Sequence, residues 1–146
     1  MSSFKAFEIA GSGMSAQSVR LNTTASNLAN AESVSGDPNQ VYKPRHPIFE
    51  AVRAQLAAAA GQFGNNNGDN AAVRVRGIYE SQAPATQRYE PGNPLADSNG
   101  YVYAPSVNVV EEMVNMISAS RSYQNNVEVM NTSKELLMAT LRLGQG

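Results

Sequence analysis

Cysteine and tryptophan are absent from this 146-residue sequence, and charged side chains make up only 16% of it. Without cysteine the fold has no disulfide, no thiolate metal site and no cysteine nucleophile. The charged fraction is below the roughly 25% of an average soluble protein, and the net charge is -1. Nucleic acid and anionic membrane surfaces are therefore not expected as partners, because the chain lacks a strong positive field to attract them.

Long apolar runs are also missing. No stretch approaches the roughly eighteen apolar residues that a membrane-spanning helix requires, so direct membrane insertion is not predicted. The start of the chain does not resemble a secretory signal, because Glu8, Gly11 and Gly13 interrupt its apolar stretch before it reaches the usual length. We therefore expect a soluble protein of one domain that does not use the general secretory route.

What the chain has instead is a seven-residue repeat near each end. Near the start, two interleaved lines of residues form one stripe on a predicted helix. The first line is Phe4, Gly11, Ser18 and Ala25, and the second is Phe7, Met14, Leu21 and Leu28. Near the end, two further lines are Val109, Met116, Tyr123, Met130, Leu137 and Met113, Ser120, Val127, Lys134, Leu141. Each helix has an apolar seam whose obvious partner is the other helix. The pattern favours assembly over catalysis.

The bounds of the two helices follow from their end signals. The first is predicted over about residues 3–30, before a break marked by Gly36 and Pro38. The second is predicted to begin after Asn108 as its N-cap, with Glu111 placed to reach back to the N–H of the cap, and to end near Arg142. At 1.5 Å per residue, each helix would be roughly 40 to 50 Å long, so each needs a partner surface.

The segment between the helices reads as a small β-rich module. An edge strand is predicted over 41–52, a half-buried strand over 71–81 and a short strand over 101–103, and 61–70 reads as a flexible loop. The predicted fold class is mainly α with a small β-rich central module, its long terminal helices forming a coiled-coil layer. The predicted organisation is an N-terminal coiled-coil helix over 1–32, the central module over 33–105 and a C-terminal coiled-coil helix over 106–146.

Candidate chemistry is sparse. Residues 11–16 fit the dinucleotide fingerprint G-x-G-x-x-A, but the fingerprint needs a preceding strand, and the first ten residues carry the helical stripe. The one histidine, His46, has no further metal ligands spaced around it and is expected to be an ordinary surface residue. Glu111 and Glu112 are adjacent on a helix, so they face different sides and serve its positive end. No catalytic residue, metal site or cofactor is predicted.

Several segments resemble one known family. The sequence Ala-Ser-Asn-Leu-Ala-Asn-Ala over 25–31, at the end of the first predicted helix, resembles the signature of bacterial flagellar rod and hook proteins. Segments 89–97, 108–115 and 118–127 are similar to the proximal-rod members in particular. The resemblance covers both ends of the chain and leaves chiefly 54–70 outside it.

The resemblance implies a non-enzymatic structural subunit of the flagellar basal-body rod, located in the periplasm and needed for motility. It also implies export through the flagellar type III apparatus without a cleaved signal. The implied partners are further copies of the chain, other rod subunits, the adaptor between rod and MS ring, and the export apparatus. A soluble coiled-coil adaptor or export chaperone is the alternative function.

In the rod interpretation, torque is transmitted by helix packing within or between subunits. Asn27 and Asn30 are expected either to hydrogen-bond neighbouring backbone or simply to end the helix. The predicted subunit-interface residues are Phe4, Phe7, Met14, Leu21, Ala25, Asn27, Leu28, Asn30, Val109, Met113, Met116, Tyr123, Val127, Met130, Leu137 and Leu141.

Overall fold

The computed structural model describes residues 3–53 and 71–144. In chain order its elements are α1 (Ser3–Ala29), β1 (Arg45–Arg53), β2 (Ala71–Glu80), β3 (Thr86–Tyr89), β4 (Tyr101–Ala104) and α2 (Val109–Leu143). Two long helices with small antiparallel strands between them confirm the prediction of a mainly α fold with a β-rich centre. The predicted flexible loop over 61–70 lies outside the described residues.

The second helix begins where its cap was predicted. Asn108 has an extended backbone, and its Oδ1 accepts hydrogen bonds from the backbone N–H of Val110 at 3.1 Å and of Glu111 at 3.3 Å. The reciprocal bond from the Glu111 carboxylate to the N–H of the cap is not among the hydrogen bonds of the described residues, so the cap is one-sided. Neither described helix combines the length and apolar character that crossing a membrane would require.

Strands β1 and β2 form an antiparallel hairpin that packs on α1. Two ion pairs of 2.9 Å join residues that face each other across the strands, Arg45 with Glu80 and Glu50 with Arg74. The hydrogen bond and the positive charge of Arg74 hold the pKa of Glu50 below its usual value. The stabilisation is therefore present above the usual glutamate pKa and is lost as the pH falls through the lowered value.

Strands β3 and β4 form a second antiparallel pair, and β3 was not predicted. Every residue of β3 is exposed, so it has no apolar alternation that could have revealed it. Val102 of β4 is completely buried, and the turn before β4 contains Gly100 at φ +82. A side chain at Gly100 would also lie 3.0 Å from the ring of Tyr89, so both the backbone and the space require glycine there.

The two helices pack antiparallel along small and polar residues. Gly13, Arg20 and Asn27, each seven residues from the next, lie on the face of α1 towards α2. The buried residues of α2, which are Glu112, Ala119 and Ser133, are likewise separated by multiples of seven. The Arg20 guanidinium donates to Asn115 Oδ1 at 2.9 Å.

The apolar seam was predicted within or between subunits, and the helix packing seen in the structure concerns only the contact within one chain. Met14 and Leu21 of α1, which were predicted to meet apolar residues of α2, are half-buried in the single chain, as are Gly13 and Arg20. On α2 the buried line through Ala119 lies one position before the predicted line through Met113, which is 53% exposed. The helices approach each other closely at Gly13, because this residue has no side chain to hold them apart.

Alanine substitutions at the two glycines of α1 are expected to differ. At Gly11 a new Cβ would meet only Met130 Cε at 3.7 Å, an ordinary contact, so Gly11→Ala should stabilise the chain by about 0.5 to 1 kcal/mol through helix propensity. At Gly13 the Cβ would lie 2.9 Å from Asn126 Nδ2, which donates to Ser122 O. Gly13→Ala should therefore bring no net gain. Urea unfolding of both variants measures this, and equal gains would refute the close approach.

Candidate functional site

The centre of the candidate site is Asn27, near the end of α1, which is completely buried. Its Nδ2 donates to Arg45 O at 2.9 Å and to Glu112 Oε2 at 2.9 Å. Its Oδ1 accepts from the hydroxyl of Tyr42 at 2.8 Å and from the N–H of Arg45 at 2.9 Å. All four hydrogen-bonding positions of the amide are therefore used. We call Asn27, Tyr42, Arg45 and Glu112 the Asn27 junction.

The Asn27 junction joins three parts of the chain. Asn27 lies on α1, the backbone of Arg45 begins β1, and Glu112 lies in the first turns of α2. The hydroxyls of Ser26 and Tyr42 are 3.1 Å apart, which ties the loop before β1 to the same end of α1. Because a buried amide without partners is costly, this network fixes where the hairpin and α2 meet α1.

Both asparagines of the 25–31 motif hydrogen-bond backbone, which was one of the two alternatives for them. Asn27 bonds the backbone of Arg45 in both directions, and Asn30 Nδ2 donates to Ser26 O at 2.8 Å. The two differ in reach, however, because the bond of Asn30 lies within one helical turn. Asn27 holds distant elements together, whereas Asn30 has the local helix-ending role that was the alternative for both.

Glu112 has a position that sequence reasoning missed. Its side chain was assigned only to the positive end of the helix, yet the residue is 4% exposed and bonded to Asn27. His46 is half-exposed, and its Nδ1 lies 4.0 Å from Glu112 Oε1. The signal that could have revealed Glu112 is its seven-residue spacing from Ala119. Within residues 3–53 and 71–144, no group of three or more His, Asp or Glu could hold a metal ion.

The predicted interface residues are distributed over both helices in several environments. The half-buried ones are Phe7, Met14, Leu21, Leu28, Asn30, Val109, Met116, Tyr123, Val127, Met130 and Leu137. Asn27 is buried, and Ala25, Met113 and Leu141 are exposed. The side chain of Phe4 lies outside the described part of the structure. The large apolar members thus retain surface that this chain alone does not cover, and their role between subunits stays a prediction.

A second apolar surface lies on the outer side of α2. We call Val110, Met113, Val114 and Ile117 the outer stripe, with exposed fractions of 70%, 53%, 60% and 55%. Their spacing of three, four and seven residues puts them on one face of the helix. Of the four, only Met113 was predicted as an interface residue, because the search followed strict seven-residue lines.

Comparison with known proteins covers both halves of the site. The family profile described as "Flagella basal body rod protein" matches residues 7–36, which include Asn27. The profile described as "Flagellar basal body rod FlgEFG protein C-terminal" matches residues 98–143, which include Glu112 and the outer stripe.

Individual relatives match over nearly the whole chain. Flagellar basal-body rod protein FlgC of Salmonella typhimurium is 54% identical over 139 residues, covering 95% of this chain and 96% of the relative. FlgC of Yersinia enterocolitica is 52% identical over 145 residues, covering 99% and 100%. FlgC of Borreliella burgdorferi is 35% identical over 153 residues, covering 100% of both. With such identities along its full length, the chain belongs to the flagellar basal-body rod protein family.

Proposed function

We propose that this chain is a structural subunit of the proximal part of the bacterial flagellar basal-body rod. The observation that carries the proposal is its similarity to proteins named FlgC over 95% or more of both sequences. The geometry supports a building block, because the two helices hold each other through small and polar residues while large apolar side chains remain partly uncovered.

In this proposal the helical segments 1–32 and 106–146 form a coiled-coil layer of the rod, and 33–105 is the module between them. Neighbouring subunits would cover the half-buried apolar residues and the outer stripe. Burying one large apolar side chain contributes about 1.5 to 3 kcal/mol, so several per subunit offset the ordering entropy of the helix ends. Torque then passes between subunits through packed side chains, and no enzymatic step or cofactor is involved.

The proposed partners are further copies of the chain, other rod subunits and the adaptor between the rod and the MS ring. The proposed location is the periplasmic part of the basal body. The proposed route there is the flagellar type III export apparatus, without a cleaved signal.

Complementation tests the proposed function directly. A bacterial strain that lacks its own FlgC and is non-motile should regain swimming when it expresses this chain. A chain carrying Asn99→Asp, an exposed position in the turn between β3 and β4, should restore swimming equally well. Normal export of the chain with no recovery of rods would count against the rod function.

The competing function is a soluble coiled-coil adaptor or export chaperone that folds alone. The Asn27 junction favours this function, because all four hydrogen-bonding positions of the Asn27 amide are satisfied within one chain. Circular dichroism and limited proteolysis of the purified monomer separate the two functions. A rod subunit should have frayed helix ends that proteases cut, whereas an adaptor should be fully helical and resistant.

A further inference from the structure

A recess of about 360 Å³ lies beside the Asn27 junction, between the start of β1 and the first turn of α2. His46 and Thr86 line it from the strands, and Glu111 and Glu112 line it from the helix. From these residues we propose that the recess binds the cationic head of a lysine or arginine side chain presented by a neighbouring rod subunit. The source of that side chain rests on the proposed function, whereas the binding chemistry rests on the recess alone.

The Glu112 carboxylate has one oxygen that no hydrogen bond of the described residues uses. Glu112 is 4% exposed, and its Oε2 accepts the hydrogen bond from Asn27. Among the described residues, Oε1 accepts no hydrogen bond, and the nearest basic atom is His46 Nδ1 at 4.0 Å. Oε1 is not one of the fully buried atoms that lack a partner, and Glu112 lines the recess. The free position on Oε1 can therefore accept a hydrogen bond from a guanidinium or ammonium group in the recess, and such a pairing favours a carboxylate that is largely buried.

The lining of the recess carries more negative than positive charge. Glu111 and Glu112 were expected to face different sides of the helix, but both line the recess and bring two negative charges to its helical wall. The start of a helix contributes the equivalent of about half a positive charge, which offsets only part of this. His46 adds a positive charge only when protonated. The recess therefore favours a cation, and its polar lining suits one that donates hydrogen bonds.

Arginines of the neighbouring strands β1 and β3 are paired with other carboxylates. Arg45 pairs with Glu80 at 2.9 Å, and Arg88 pairs with Glu90 at 3.2 Å. Lys43 lines a smaller recess that shares Pro44 and Ser106 with this one, and its ammonium group is not within ion-pair distance of Glu112. The nearest arginine further along the same helix is nine residues beyond Glu112, about 13 Å along the axis, and cannot fold back. Charge complementarity thus points to a side chain from outside the chain.

Titration of the full-length chain with N-acetyl-arginine amide, followed by NMR, tests the proposal. The resonances of the His46 ring and the Thr86 amide should shift and saturate. N-acetyl-citrulline amide, which has a similar shape and no charge, should leave both unchanged. Glu112→Gln should weaken binding at least tenfold, and Glu128→Gln, the same change on the exposed side of α2, should leave binding as in the wild type.

The outcomes are decisive in either direction. Shifts that do not saturate, equal shifts with the citrulline probe, or equal affinity in Glu112→Gln would overturn the proposal. The comparison of the two probes on wild-type protein needs no variant, so a folding defect in Glu112→Gln would not obscure it. Failure of the titration leaves the complementation experiment untouched, and failure of complementation leaves the titration interpretable.

Discussion

Asn27→Asp is expected to lower the free energy of unfolding of the full-length chain by about 3 kcal/mol at neutral pH. The substitution keeps the size of the side chain and replaces an amide that donates to Glu112 Oε2 at 2.9 Å by a second carboxylate. Two buried carboxylates at that distance repel each other, and the donor to Arg45 O is also lost. Urea unfolding followed by circular dichroism measures the change.

Asn30→Asp is the matched control, because it is the same substitution three residues away in the same motif. Asn30 makes only the local bond to Ser26 O, so its loss should cost about 1 kcal/mol or less. The loss in the free energy of unfolding caused by Asn27→Asp should also be smaller at acidic pH, because protonation of one of the two carboxyl groups removes their repulsion. Equal losses for the two variants would show that the Asn27 junction does not hold the three elements together.

Ile117→Asp is expected to abolish assembly while leaving the monomer almost as stable as the wild type. Ile117 belongs to the outer stripe and is 55% exposed in the single chain. A surface substitution of this kind changes the free energy of unfolding by about 0.5 kcal/mol or less. In an assembled rod, however, it would place an unpaired charge against a neighbouring subunit, at a cost of several kcal/mol. Rod incorporation, measured in isolated basal bodies, should fall at least tenfold.

Asn99→Asp provides the control for added charge, because it introduces the same negative charge at an exposed position in the turn between β3 and β4, outside both helices. This variant should assemble normally. If Ile117→Asp were incorporated as efficiently as Asn99→Asp, the outer stripe would not be a contact surface. If Ile117→Asp unfolded the monomer instead, the stripe would be part of the core of the chain.

Local signals predicted most of the fold. The cap at Asn108 depends on one side chain and the two N–H groups that follow it, so the start of α2 was readable from the sequence. Strand β2 was readable because its apolar and polar residues alternate. Strand β3 was not, because all its residues are exposed and its pairing depends on β4, which lies more than ten residues further along the chain.

The packing of the helices was less predictable because seven-residue spacing does not specify which line is buried. Large apolar residues such as Met14 and Leu21 suggested the seam, yet the chain uses the line through Gly13 and Asn27. Small residues allow close approach, and polar ones find partners only when the opposite helix is in place. The apolar line is then available for other contacts.

The sequence indicated one part of the candidate site, Asn27, but not the residues that Asn27 brings together. The motif drew attention to Asn27, and bonds from its side chain to backbone were one of the two alternatives for it. The bond from Asn27 to Glu112 joins positions 85 residues apart, and the contact of His46 with that carboxylate depends on where β1 begins. Neither relation leaves a local pattern in the sequence, so both required the three-dimensional structure.

Mass spectrometry of isolated flagellar basal bodies tests the central claim, that this chain is built into the rod, most directly. Basal bodies would be purified from cells in which this chain replaces the host FlgC, with cells producing Ile117→Asp as the comparison. The wild-type chain should be present together with the other rod proteins, and Ile117→Asp should be depleted. Intact basal bodies with a full complement of other rod proteins but without the wild-type chain would contradict the claim.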